Sequence, residues 1–120
     1  MTAQLARLSL ESQGDVELAK VAGEVDASNV SELSQRLLAA VSNKARALVL
    51  DLSETSYIDS SGINLIFDAA ARLRNRRQEL RLVVTPRSFV GEVLAAVSME
   101  RSVPIDAQLD DALRAVDDSG

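Results

Sequence analysis

Two apolar runs constrain this chain more than anything else in it: Ala47-Leu48-Val49-Leu50-Asp51-Leu52 and the segment Leu80 to Val84. A nearly continuous apolar segment of this length reads as a strand with both faces covered, so the run from Ala47 to Leu52 is placed at the centre of a sheet. Between the two runs, after Ser60-Ser61, Ile63, Ile66, Phe67, Ala70 and Leu73 recur on one helical stripe. Strand, helix and strand therefore follow one another, and the helix must pack on the sheet that the strands form.

The flanking segments extend this unit. Leu5 to Leu10 and Val16 to Ala22 read as strands joined by the turn cluster Ser12-Gln13-Gly14-Asp15, which makes a hairpin, with Gly23 closing the second strand. A helix follows with Val30, Leu33, Leu37 and Val41 on one face and Asp26 or Ser28 as its N-cap. Pro86 is expected in the first turn of a helix bearing Phe89, Val90, Val93, Leu94 and Val97. Val103-Pro104-Ile105 is suited only to an edge strand, because proline cannot donate to the ladder. Leu109 to Val116 is a last amphipathic helix before a frayed tail, Asp117 to Gly120. The expected order is ββαβαβαβα: one α/β domain over residues 1–120, ordered from about 5 to 116. Its mixed sheet has four to five strands, flanked by about four helices.

Composition removes several functions. With 47% hydrophobic and 26% charged residues the chain has enough apolar surface to fold. No apolar run reaches the ~18 residues of a membrane span, and the segment from Met1 to Arg7 has no signal-peptide core, so a cytosolic protein without a membrane is expected. Histidine and cysteine are both absent, which excludes Ser–His and Cys–His nucleophilic catalysis and the usual zinc sites. A net charge of −5 and only three aromatic residues, Tyr57, Phe67 and Phe89, argue against nucleic-acid binding.

The chemistry concentrates in Tyr57-Ile58-Asp59-Ser60-Ser61-Gly62-Ile63, where a small polar loop opens directly into a helix. As an N-cap, the Ser60 hydroxyl would accept from the amide of Gly62 or Ile63. As a phosphorylation site, Ser60 would place a phosphate against free helix amides and the positive end of the helix dipole. It would add roughly −1.5 to −2 of charge beside Asp59. Asp51, at the end of a central strand, offers another phospho-acceptor. A resemblance to response-regulator receiver domains would imply that role, but receivers also need an acidic pair after the first strand and a lysine after the last. Glu11-Ser12-Gln13-Gly14 and Asp106-Ala107 supply neither, which leaves Asp51 as a strand-end residue bonded to nearby backbone. A metal-dependent hydrolase or phosphotransferase built on Asp51, Asp59 and Ser60 lacks a second cluster of carboxylates. The arginines from Arg72 to Arg81, with Arg87, could bind phosphate or an acidic partner, but read first as a solvated helix end.

Gly23-Glu24-Val25-Asp26, Asp51-Leu52-Ser53 and Tyr57 to Gly62, at these spacings and after a hairpin start, resemble the STAS domain (sulfate transporter and anti-sigma factor antagonist). More narrowly, they are similar to the stand-alone bacterial anti-sigma factor antagonists, and the resemblance runs from about Leu5 to Val116. It implies a binding protein and not an enzyme, with no cofactor or metal of its own. The implied partners are an anti-sigma factor that is also a serine kinase, and a phosphoserine phosphatase. The unphosphorylated form would capture the anti-sigma factor and release sigma, and phosphorylation would end the capture. The implied acceptor is Ser60, with Ser61 as its competitor. Asp26, Ile58, Asp59, Ser61, Gly62 and Asn64 are the expected partner-binding residues, Gly62 by letting a partner backbone approach. Asn64 stands where such proteins often carry a second glycine. A monomer is expected, because no apolar face is left over. The rival reading is a STAS module in a stressosome-like or transport-accessory complex, with Ser60 structural or regulated differently.

Overall fold

The computed structural model describes residues 6–119. Six strands and four α-helices follow one another: β1 (Arg7–Gln13), β2 (Val16–Val25), α1 (Val30–Ala40), β3 (Ala47–Asp51), β4 (Thr55–Ile58), α2 (Ser60–Asn75), β5 (Glu79–Val83), α3 (Phe89–Ala96), β6 (Ile105–Asp106) and α4 (Leu109–Ser119). A 3-10 turn, Met99–Arg101, links α3 to β6. The sheet runs β1-β2-β3-β5-β6, with β4 paired to β2 alone. β1 is antiparallel to β2 and every other pairing is parallel.

The central position of β3 follows from its sequence. All five of its residues are buried, between β2 and β5. Leu48 and Leu50 join the core formed with Leu33 and Leu37 of α1 and Leu65, Ile66 and Leu73 of α2. Ala47 and Val49 point the other way, into a smaller core with Val16, Val83 and the Ala112 and Val116 side chains of α4. Alternate residues of one strand thus serve two helix layers, which is why the run is apolar throughout. β1 closes the far edge through the two-residue loop Gly14-Asp15, where Gly14 takes φ +62, a value that costs glycine little.

Several sequence expectations are corrected. There are six strands, not four to five, because β4 was not anticipated. Its residues Thr55-Ser56-Tyr57-Ile58 lack apolar alternation, and they pair only with the end of β2 beyond the main sheet. β2 does not stop at Gly23. That residue takes φ +101 at a register shift, donates its amide to the Glu54 carbonyl at 3.1 Å, and lets the strand run on to Val25. α1 starts at Val30, after Asn29, so neither Asp26 nor Ser28 is its N-cap. α3 starts at Phe89, with Ser88 Oγ accepting from the Gly91 amide at 3.0 Å, so Pro86 lies ahead of the helix and not in its first turn. α4 continues through Asp117 and Asp118 to Ser119, so those residues are helical and not a frayed tail. Phe67, expected on the buried stripe of α2, is exposed, and Leu65 and Ala69 are buried instead. The expected strand start at Leu5 and the final Gly120 lie outside the described residues.

Candidate functional site

Three strand-to-helix turns meet at the C-terminal end of the parallel strands: β2 to α1, β4 to α2, and β5 to α3. This is where open parallel sheets present their functional groups. The first two turns are tied by the backbone, since the Asp59 amide donates to the Val25 carbonyl at 3.3 Å. β4 therefore holds the Asp59-Ser60 loop beside the turn that starts at Asp26.

The cap of α2 is Asp59, one residue earlier than expected. Its Oδ1 accepts from the amides of Ser61 at 2.9 Å and Gly62 at 3.2 Å, and its carbonyl accepts from Ile63 at 3.0 Å. A carboxylate here also suits the positive end of the dipole. Ser60 becomes the first residue of the helix. It is exposed, and its hydroxyl has no hydrogen-bond partner among the described residues. The expectation that a phosphate would meet free amides is corrected, because Asp59 already occupies two of them.

Asp26 is half-buried and shapes its own turn. Its Oδ1 accepts from the Ser28 amide at 2.9 Å and from the Ser28 hydroxyl, and its amide donates to Asn29 Oδ1 at 3.1 Å. Asn29, which the sequence did not single out, is buried and donates through Nδ2 to the Glu24 carbonyl at 2.8 Å. Its spacing from Glu24 and Asp26 was the only available signal. Asn64 is exposed one turn beyond Ser60. With Ser61 it lines a groove of about 500 Å³ between α1 and α2, opposite Ser31, Ser34 and Gln35.

Two expected partner-binding residues face inward. Ile58 is 3% exposed and belongs to the main core. Gly62 is buried, and a Cβ there would collide with the Ile58 side chain and lie 3.0 Å from Val25 Cγ1. Its missing side chain therefore serves the chain's own packing, where the sequence reading had it admit a partner backbone. Asp51 is 4% exposed and accepts from the Ser53 amide at 2.9 Å, a strand-end role. Among the described residues no three acidic side chains gather closely enough to hold an ion.

Two features of this end were not legible beforehand. Tyr57 and Phe89 are 40% and 52% exposed, and their rings stack at 5.6 Å with planes 11° apart. Lys20 and Glu54 form an exposed ion pair at 2.8 Å. Their mutual hydrogen bond raises the Lys20 pKa and lowers that of Glu54, with the charge–charge attraction adding to both. Away from this end, Arg81 bridges Glu79 at 2.7 Å and Asp106 at 3.1 Å. Burial works against its charge, but the hydrogen bonds it donates to Glu79 and Asp106 prevail and raise its pKa.

A hairpin edge, a parallel centre and an acid-capped helix opening on an exposed serine define the class as a small α/β domain of STAS type. A family model described as the STAS domain matches residues 7–112, and the chain belongs to that family. An anti-sigma-B factor antagonist from Listeria monocytogenes is 37% identical over 62 residues, covering 52% of this chain and 54% of the relative. The chain thus spans about half the length of that curated relative. The crystal structure of an anti-sigma factor antagonist from Mycobacterium paratuberculosis superposes with a TM-score of 0.83 at 25% identity, covering 93% of this chain and 94% of that one. The Bacillus cell fate determinant SpoIIAA in its phosphorylated form shares the fold, with a TM-score of 0.69 at 18% identity over 92% of this chain and 99% of that one. No described helix is long and apolar enough to cross a membrane.

Proposed function

We propose that the protein is an anti-sigma factor antagonist that acts as a phosphorylation-controlled binding module in the cytoplasm. The unphosphorylated face around Ser60, with Asp26, Asp59, Ser61 and Asn64, captures an anti-sigma factor that is also a serine kinase, and sigma is thereby released. The kinase transfers the γ-phosphoryl group of its own ATP to Ser60 Oγ. ADP leaves, the hydroxyl proton is lost to a base on the kinase, and a phosphatase later hydrolyses the ester. The observation that carries this reading is the exposed, unbonded hydroxyl of Ser60 on a helix start already capped by Asp59. The antagonist relatives support it, and one of the solved folds is itself a phosphorylated protein.

The switch needs no refolding. A phosphate on Ser60 adds about −1.5 to −2 of charge beside Asp59. A badly matched charge buried at an interface costs about 2–5 kcal/mol, or ~30-fold to a few thousand-fold in affinity. Incubation with the anti-sigma kinase of the source organism and ATP is expected to add one phosphate, mapped to Ser60 by peptide mass spectrometry. Ser60→Asp is expected to weaken capture by at least ~30-fold in calorimetry, and Ser60→Ala to keep a sigma-dependent reporter permanently on. A reporter that stays repressed with Ser60→Ala would sink the proposal.

A further inference from the structure

At the opposite end of the sheet, a concavity of about 430 Å³ opens where β3 and β5 begin and where α2 and α4 finish. Arg46, Arg74, Arg76 and Arg77 all line it, in a protein whose net charge is −5. Helix ends account for two of the four. Arg76 donates to the carbonyl of Val41, the C-cap of α1, at 3.2 Å. Arg46 donates to the Val116 carbonyl of α4 at 2.8 Å and pairs with Asp15 at 2.9 Å. The one acid lining the concavity, Glu79, is held by Arg81 at 2.7 Å.

Arg74 and Arg77 are left exposed, and among the described residues neither guanidinium meets a carboxylate or a carbonyl. The backbone makes Arg77 more unusual. The Gln78 amide donates to the Leu73 carbonyl at 2.8 Å and the Arg77 amide to the Arg74 carbonyl at 2.9 Å, the double bond pattern that ends many helices. That pattern requires a left-handed residue, and Arg77 has φ +60 at the position where glycine is strongly favoured. An arginine therefore stands in a strained conformation where a simpler residue would fit better, on the wall of a basic concavity. The adjacent Gln78 is 6% exposed. It spends its side-chain nitrogen on the Ser42 and Ala45 carbonyls at 2.8 and 2.9 Å, and its Oε1 is buried without a hydrogen-bond partner.

We propose that this concavity binds a small molecule carrying a phosphate or diphosphate group, with Arg74 and Arg77 receiving the anion. Planar guanidinium forks match phosphate oxygens in pairs, and the volume lies within the range of small-molecule sites. Gln78 Oε1 is an acceptor for a hydroxyl or N–H on the same ligand. The site lies at the far end of α2 from Ser60, about 24 Å along a 16-residue helix, and stands independently of the function proposed above.

The test is titration with pyrophosphate at constant ionic strength, by calorimetry and by backbone amide NMR. Saturable binding is expected, with shifts concentrated in residues 43–46 and 74–79. Arg77→Gly is expected to weaken binding about tenfold or more while raising the thermal midpoint by about 2–5 °C, since glycine relieves the backbone. Loss of binding in a better-folded protein separates the site from any structural role of the arginine. Arg74→Gln is expected to weaken binding similarly with the midpoint unchanged. Absence of saturable binding, unchanged affinity in Arg77→Gly, or shifts centred on residues 58–62 would each overturn the proposal.

Discussion

Gly62 and Asp59 fix the start of α2 by different means. Gly62 is where the side chain of Ile58 turns back beneath the helix, so even one methyl group has no room. Gly62→Ala is expected to destabilise the fold by about 1–3 kcal/mol, the usual cost of overpacking, measured by urea unfolding at constant m-value. Asp59 acts through its carboxylate oxygen on two amides. Asp59→Ala should cost about 1 kcal/mol of stability as a lost cap, whereas Asp59→Asn should cost much less because asparagine caps equally well. A loss of similar size in both variants would mean that the charge of Asp59, and not its acceptor oxygen, holds the helix start. The sequence placed this cap one residue too late because aspartate and two serines stand in a row and each is a good cap. Only the path of β4 decides among them.

At the scale of elements, legibility followed the number of neighbours. β3 could be read directly because two sheets of side chains and two helix layers all demand apolar residues there. β4 could not, because it has one strand partner, four residues and a polar sequence; it forms because β2 overshoots the sheet. Buried Thr55 Oγ1 then donates to the Val21 carbonyl at 2.7 Å, a tie that a sequence pattern does not announce. Phe67 was assigned to the buried stripe of α2 by spacing alone, but the covered stripe is narrower than the spacing allows. β6 is the weakest element by length, with two residues and a polar tether. Arg81 joins it to β5 through Asp106 while also holding Glu79. Arg81→Met, which keeps the stem but removes the fork, is expected to cost about 2 kcal/mol, read as a lower urea midpoint, because hydrogen bonds to charged groups are lost from a mostly buried side chain.

For the whole molecule, the residues proposed to bind a partner gather at one end of the sheet and Arg74 and Arg77 lie at the other, with α2 spanning the distance. Overall charge of −5 conceals this division. At the Ser60 end, pH acts on the exposed pair Lys20 and Glu54 from both sides. The Glu54 pKa is lowered in the fold, so its contribution is fully present above the ordinary value of 4.5 and fades as the pH falls through the lowered folded value. Lys20 has the opposite sign. Its raised pKa makes its contribution present below 10.5 and lost as the pH rises through the folded value. Glu54→Gln is therefore expected to lower stability slightly around pH 7 and to leave it nearly unchanged at both extremes, where the exposed pair no longer contributes. Unfolding curves between pH 3 and 11 would show it, and an unaltered slope of the acid limb would remove Glu54 from the account.

The occupied amides at the head of α2 bear on time as well as affinity. A phosphoryl group on Ser60 would find two of the nearest amides committed to Asp59 and would stand out in water. The fold would then neither shelter the ester nor hasten its loss. The memory of each signal would last as long as the erasing enzyme allows, and the cell could tune it by changing that enzyme's abundance alone.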